Sequence, residues 1–268
     1  MLAKVIGKGA PLLLVPGGLT GWIDWEPHAE LLAPTRKVVR VQLLNVQWGL
    51  ENRPIPLDYS IKMESQALSA TLDGLGLNGA IDIVAWSFGG LVTLDYALDN
   101  PARVRSLILI EPPAFWVLRA SGELDPAIKK SSEMPQDSRG GISEDQLEQF
   151  LHSVGFCPPE QSARKLPQWP LWVRFRQSLR NNFVVSKHND DPERLRAFQR
   201  PVLLIKGIGS IEPLHKIIEA LAIQLPRAKV IEMPGGHAPQ IVSIDYFLEQ
   251  MNTFQMSAHD QANPCLDH

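Results

Sequence analysis

Two hydrophobic periods alternate along the chain. Short, nearly unbroken apolar runs recur at Leu12–Val15, Val38–Leu43, Ile81–Val84, Ser106–Ile110, Pro201–Ile205 and Ala228–Met233. Runs of this length, rich in branched side chains, predict strands buried on both faces of a parallel sheet. Between them apolar positions recur at helical spacing: Trp22, Trp25, Leu31 and Leu32; Ile61, Leu68, Leu72 and Leu75; Leu91, Val92, Leu94 and Leu98; Leu214, Ile217, Ile218 and Leu221; Phe247, Leu248, Met251 and Phe254. Ser60 caps the second of these helices and Gly76 stops it. Strand–helix alternation predicts an α/β fold, a mostly parallel, doubly wound sheet with helices on both faces. Ligands of such sheets bind beyond the carboxyl ends of the strands.

The alternation breaks in three places. Leu44 to Pro56, with Gly49, Pro54 and Pro56, reads as a loop. From Ala114 to Arg200 no strand run occurs. Ser143-Glu144-Asp145-Gln146 is a capping box that opens a helix through Leu147, Phe150, Leu151 and Val154, and Trp169, Trp172, Phe175 and Leu179 mark another. Asp125 to Gly141, rich in Ser, Pro and charge, reads as mobile. Ser257 to His268 has no apolar period and reads as a disordered tail. The expected organisation is a core of residues 1–113 and 200–256, a helical cap or lid over 114–199, and a tail over 257–268.

Composition narrows the class. The chain has 268 residues, 44% hydrophobic and 21% charged, as in a soluble globular domain with a sizeable core. A net charge of −3 and no basic run argue against a nucleic-acid surface. The two cysteines, Cys157 and Cys265, suggest neither a disulfide framework nor a zinc site. No stretch reads as a signal peptide or a bilayer span, so no membrane partner and a cytoplasmic location are expected. There is no internal repeat, and nothing bears on oligomeric state.

Candidate chemistry lies at the strand ends. After the Ile81–Val84 strand comes Ala85-Trp86-Ser87-Phe88-Gly89, the G-x-S-x-G pattern with alanine for its first glycine. On a strand-to-helix turn, small neighbours let the helix pack close while the serine is exposed at the sheet edge. The helix start adds backbone N–H groups and a positive dipole end. Pro16-Gly17-Gly18-Leu19-Thr20-Gly21 follows the first run, Glu111 follows Ile110, and His237 follows the last strand within Pro234-Gly235-Gly236-His237. Ser87 reads as a nucleophile and the glycine loop as a source of amides facing a ligand. His28 reads as a packed or surface residue of its helix.

Together these residues resemble the α/β-hydrolase family over roughly residues 10–256. Ala85–Gly89 is similar to its nucleophile elbow, Gly236-His237 to its catalytic histidine segment, and Pro16-Gly17-Gly18 to its oxyanion loop, with proline for the usual histidine. The family's acid usually follows the strand at Val202–Ile205, where this chain has Gly207-Ile208-Gly209-Ser210 and no acid before Glu212. Some members carry it where Glu111 stands. Glu111 is favoured over Glu212 by its place at a strand end, and a dyad without an acid stays open. The resemblance implies a serine hydrolase with a Ser87–His237–Glu111 triad and an oxyanion hole from the N–H of Phe88 and of Gly18, with Leu19 as the alternative donor. Expected pocket residues are Leu19, Trp22, Trp48, Trp86, Trp116 and Trp172. No metal-ligand pattern, P-loop or dinucleotide fingerprint is present, so no cofactor is expected. The expected substrate is a small to medium, fairly apolar ester, lactone or thioester. A carbon–carbon bond hydrolase, or a non-hydrolytic ligand-binding protein on the same fold, is the alternative.

Overall fold

The computed structural model describes residues 1–124, 141–158, 160–181 and 183–262. Seven strands form one sheet: β1 (Leu2–Ile6), β2 (Ala10–Val15), β3 (Arg36–Gln42), β4 (Ile81–Trp86), β5 (Val104–Ile110), β6 (Val202–Gly207) and β7 (Ala228–Met233). Their spatial order is β1-β3-β2-β4-β5-β6-β7. Only β1 runs antiparallel, against β3. The inner strands carry the unbroken apolar runs because both faces are covered: every residue of β4 is buried.

Alternate side chains divide the core in two. Leu13, Val15, Ile83, Leu107 and Leu204 point to the face covered by the helices Ile61–Gly74, Ser87–Asp99 and Glu212–Gln224. Leu12, Leu14, Val84, Ile108 and Ile205 pack on the other face against Trp25, Ala29 and Leu32 of the Gly21–Leu32 helical stretch and Phe247, Met251 and Phe254 of the helix Ile244–Ala262. Each fully buried aliphatic side chain contributes about 1.5–3 kcal/mol.

Register sets the site. Val15 pairs with Ala85, Trp86 with Ile110, Ile110 with Ile205, and Gly207 with Met233. The strands therefore end nearly level, and the residues after Val15, Trp86, Ile110, Gly207 and Met233 emerge along one edge. Between β5 and β6 the described residues form helices at Phe115–Ser121, Glu144–Ser153, Trp169–Phe175, Phe183–Lys187 and Pro192–Ala197. The capping box at Ser143 forms: its hydroxyl accepts from the Gln146 N–H, and the Gln146 side chain accepts from the Ser143 N–H.

Two expectations are corrected. Leu44–Leu50 is a helix rather than loop. Its N-cap, Leu43, supplies no side-chain cap; the Glu64 carboxylate instead accepts the Leu44 and Asn45 N–H groups, each at 2.9 Å. The tail from Ser257 is helical as far as Ala262, because His259 Nε2 reaches Asp82 at 3.0 Å and Ala258 is buried. Residues 263–268 lie outside the described residues, as does the expected mobile stretch except for Gly141. No helix among the described residues is long and apolar enough to cross a membrane.

Candidate active site

Ser87 is the first residue of its helix and stands at φ +53°, in the left-handed region that a non-glycine residue rarely enters. The turn is possible because Gly89 lies against β2: a Cβ there would meet the Pro16 carbonyl oxygen at 2.1 Å. Ala85 is fully buried in the strand and its methyl is accommodated. The first amides of the helix, Phe88 among them, have no carbonyl one turn earlier to bond.

His237 Nε2 lies 2.8 Å from Ser87 Oγ, and its Nδ1 lies 2.7 Å from Glu111 Oε2. Glu111 is 0% and His237 4% exposed. Glu111 also stands at positive φ, +43°. Its Oε1 accepts the Gly207 N–H at 2.8 Å, and its Oε2 accepts the Ser210 hydroxyl at 2.7 Å. The end of β6 and the loop after it thus each donate a hydrogen bond to the carboxylate. Glu212 is elsewhere: its side chain is 76% exposed and paired with Lys216 at 3.0 Å. The imidazole is held from behind, where the Trp86 indole N–H donates to the His237 carbonyl at 2.7 Å and Phe156 meets the ring edge-on. With Nδ1–H on the carboxylate, Nε2 faces the serine hydroxyl as an acceptor, the arrangement that lets an imidazole take a hydroxyl proton.

A cavity of about 670 Å³, counted out to its open mouth, lies over Ser87. Gly18, Ser87, Phe88 and His237 form its floor. Pro113, Phe115, Phe150, Ser153, Val154, Leu179 and Val185 wall it from the β5–β6 segment, and Ile211 and Leu214 from the segment after β6. No charged side chain is among these lining residues.

The six expected pocket residues do not line this cavity. Trp86 turns its indole to His237, and Trp172 packs on Phe156. Trp48 lies edge-on to Tyr59, and Trp116 is buried beside His188. Trp22 lies under the Lys4 ammonium, and Leu19 is buried in the core behind the glycine loop. Most of the lining comes from smaller apolar residues, and of these Phe150, Val154, Leu179 and Leu214 stand in patterns that the sequence marks as helical. His28 is a packed residue, buried with Nε2 at 3.0 Å from the Gln240 carbonyl; burial lowers its pKa. Asp24, in the turn after the glycine loop, takes a hydrogen bond from the Thr20 hydroxyl at 2.6 Å, and burial pushes its pKa up to about 7 against that bond.

A serine–histidine–carboxylate relay at the carboxyl edge of an open parallel sheet defines a class of hydrolytic enzyme. The model of the alpha/beta hydrolase family matches residues 12–249. This chain belongs to that family, and so to a family of hydrolases. Among its relatives is a 2-hydroxy-6-oxo-2,4-heptadienoate hydrolase of Pseudomonas putida, 34% identical over 108 residues, which are 39% of this chain and 38% of that enzyme. A 2-hydroxymuconate semialdehyde hydrolase of a Pseudomonas species is 34% identical over 107 residues, 39% of this chain and 37% of the relative. The chain thus matches under two fifths of the length of these curated relatives. Among solved structures it is similar to a thermophilic esterase from Thermogutta terrifontis, with TM-score 0.70 and 19% identity over 96% of this chain and 93% of the other. A likeness at that identity establishes the fold.

Proposed function

We propose that the protein is a serine hydrolase acting on a neutral, small to medium ester, lactone or thioester. One observation carries this reading: the Ser87–His237–Glu111 relay, with spacings of 2.8 and 2.7 Å, opens into a cavity with no charged side chain lining it among the described residues. His237 Nε2 takes the Ser87 proton as Oγ attacks the carbonyl carbon. The Phe88 N–H and the Gly18 N–H receive the developing oxyanion, each worth about 3 kcal/mol of barrier. Glu111 stabilises the imidazolium, which returns its proton to the leaving group. Water then attacks the acyl-enzyme along the same path. The segment 114–199 acts as a cap, and its described helices supply most of the cavity wall.

A carbon–carbon bond hydrolase is the second reading, favoured by the 34% likeness to the two enzymes whose names specify a dienoate and a muconate semialdehyde. One feature weighs against it. A carboxylate-bearing substrate calls for a cation, and among the described residues none lines the cavity.

The test is hydrolysis of p-nitrophenyl acetate and butyrate by wild type and Ser87→Ala, with mass spectrometry after fluorophosphonate treatment. Serine-dependent turnover with one adduct on Ser87 is expected. A folded protein with neither turnover nor adduct would favour the non-hydrolytic binding alternative, and faster cleavage of a dienoate than of any ester would favour the second reading.

A further inference from the structure

Asn45 ties the glycine loop to the cavity wall. It is 4% exposed, on the first turn of the helix Leu44–Leu50. Its Nδ2 donates to the Gly18 carbonyl at 2.8 Å and to the Ser178 carbonyl at 3.1 Å. Both partners are carbonyl oxygens, so only the NH2 end of the amide can face them. The Oδ1 is buried with no hydrogen-bond partner among the described residues. An orphaned acceptor of this kind is costly, and the two donated bonds account for its retention.

The residue is itself held firmly. The Glu64 carboxylate accepts the Leu44 and Asn45 N–H groups, and the Tyr59 hydroxyl donates to it at 2.5 Å. One turn further along the same helix face Gly49 abuts the 176–181 turn: a Cβ there would lie 2.6 Å from the Ser178 nitrogen. Leu179, the next residue, lines the cavity.

We infer that Asn45 is a positioning residue that sets the oxyanion loop through the Gly18 carbonyl and couples that loop to the Leu179 wall through the Ser178 carbonyl. The physical need is specific. Gly17 and Gly18 have no Cβ to restrict them, so the loop holds its torsions only through external bonds. The Gly18 carbonyl is joined to the Gly18 N–H through that residue's own Cα, so anchoring the carbonyl restricts the φ and ψ of Gly18 that orient this N–H. An oxyanion hole works only when its donors need no reorganisation as charge develops. This inference rests on the hydrolase reading for its catalytic consequence, but not for its structural one.

The test is Asn45→Leu, which keeps the size and removes both donors, with Tyr59→Phe as a milder variant that loosens the Glu64 anchor. Hydrogen exchange of the full chain should speed up at residues 17–19 and around 178, while β4 and β5 keep their protection. The kcat for an activated ester should fall roughly tenfold or more, with KM within about twofold, and fluorophosphonate acylation of Ser87 should slow in parallel. Unchanged exchange in the loop, or a rise in KM with kcat intact, would overturn the inference. If Asn45→Leu does not fold, unchanged loop exchange in Tyr59→Phe does so. If the wild type is not acylated, the hydrolase reading fails, and loop exchange alone still decides the positioning role.

Discussion

Glu111→Gln is the sharpest perturbation of the site. The carboxylate accepts three hydrogen bonds: the Gly207 N–H on Oε1, and His237 Nδ1–H with the Ser210 hydroxyl on Oε2. An amide offers one oxygen and one NH2. If the oxygen faced His237, the NH2 would confront the Gly207 N–H, donor against donor in a fully buried place. The opposite orientation satisfies every group: the oxygen accepts from Gly207, and the NH2 donates to Nδ1 and to the Ser210 oxygen. That orientation forces the imidazole proton onto Nε2, which then cannot accept the Ser87 proton. The variant should therefore fold with stability close to wild type and lose about ten-thousand-fold in kcat, the cost of holding a triad histidine in the wrong tautomer. That loss corresponds to about 5.5 kcal/mol of barrier. The assay is p-nitrophenyl butyrate turnover beside a urea melt, with Glu212→Gln as the comparison that should retain wild-type activity. More than about a tenth of wild-type kcat in Glu111→Gln, or a loss in Glu212→Gln instead, would refute this account of the acid.

Other expectations follow from packing and charge. Gly89→Ala should cost about 1–3 kcal/mol in denaturant melts and lower activity, because its Cβ would drive into the Pro16 carbonyl and displace the glycine loop; a neutral change would contradict the close approach. Asp82→Ala should cost about 3–5 kcal/mol, since it strips Arg36, Ser106 and His259 of a fully buried partner, and hydrogen exchange should show the last turns of the Ile244–Ala262 helix fraying first. Asp24 is an acid whose folded pKa is raised to about 7 from 3.8. The folded state therefore holds a proton that the unfolded chain releases, and stability falls as pH rises between about 4 and 7. Asp24→Asn should flatten that part of the melting-temperature profile, gaining more at pH 8 than at pH 4.5, and parallel profiles would count against it.

What was legible in the sequence is what local pattern determines. The apolar runs of β2, β4, β5 and β6 mark strands because both faces are buried, and parallel strands that end in register put Ser87, Glu111 and His237 on one edge before any distance is known. The helix Leu44–Leu50 was not legible, since its cap is the carboxylate of Glu64, twenty residues away and inside another helix. The last turns of the final helix were missed for the same reason: His259 finds Asp82 across 177 residues. The tryptophans expected at the pocket instead pack and anchor: Trp86 donates to the His237 carbonyl, and Trp172 lies against Phe156. The cavity lining depends on how short helices dock, and that docking runs through the unanticipated helix and its contact at Gly49.

In the proposed triad, the position of the acid also accounts for its type. In the resemblance read from the sequence, the usual acid is an aspartate after β6, one strand nearer to the histidine after β7. Here β6 lies between β5 and β7, and neighbouring strands are about 4.8 Å apart. A carboxyl group that starts from β5 has farther to travel, and glutamate adds one methylene, about 1.5 Å of reach. The positive φ of Glu111 turns the chain so that this reach is directed across the end of β6. The vacated loop then serves as a cradle, with the Gly207 N–H and the Ser210 hydroxyl where an acid would otherwise begin. Glu111→Asp should therefore be nearly as damaging as Glu111→Gln, although it keeps the charge, because the shortened carboxylate cannot hold His237 and the β6 loop together. If Glu111→Asp retained near-wild-type turnover, reach would not be the reason for glutamate.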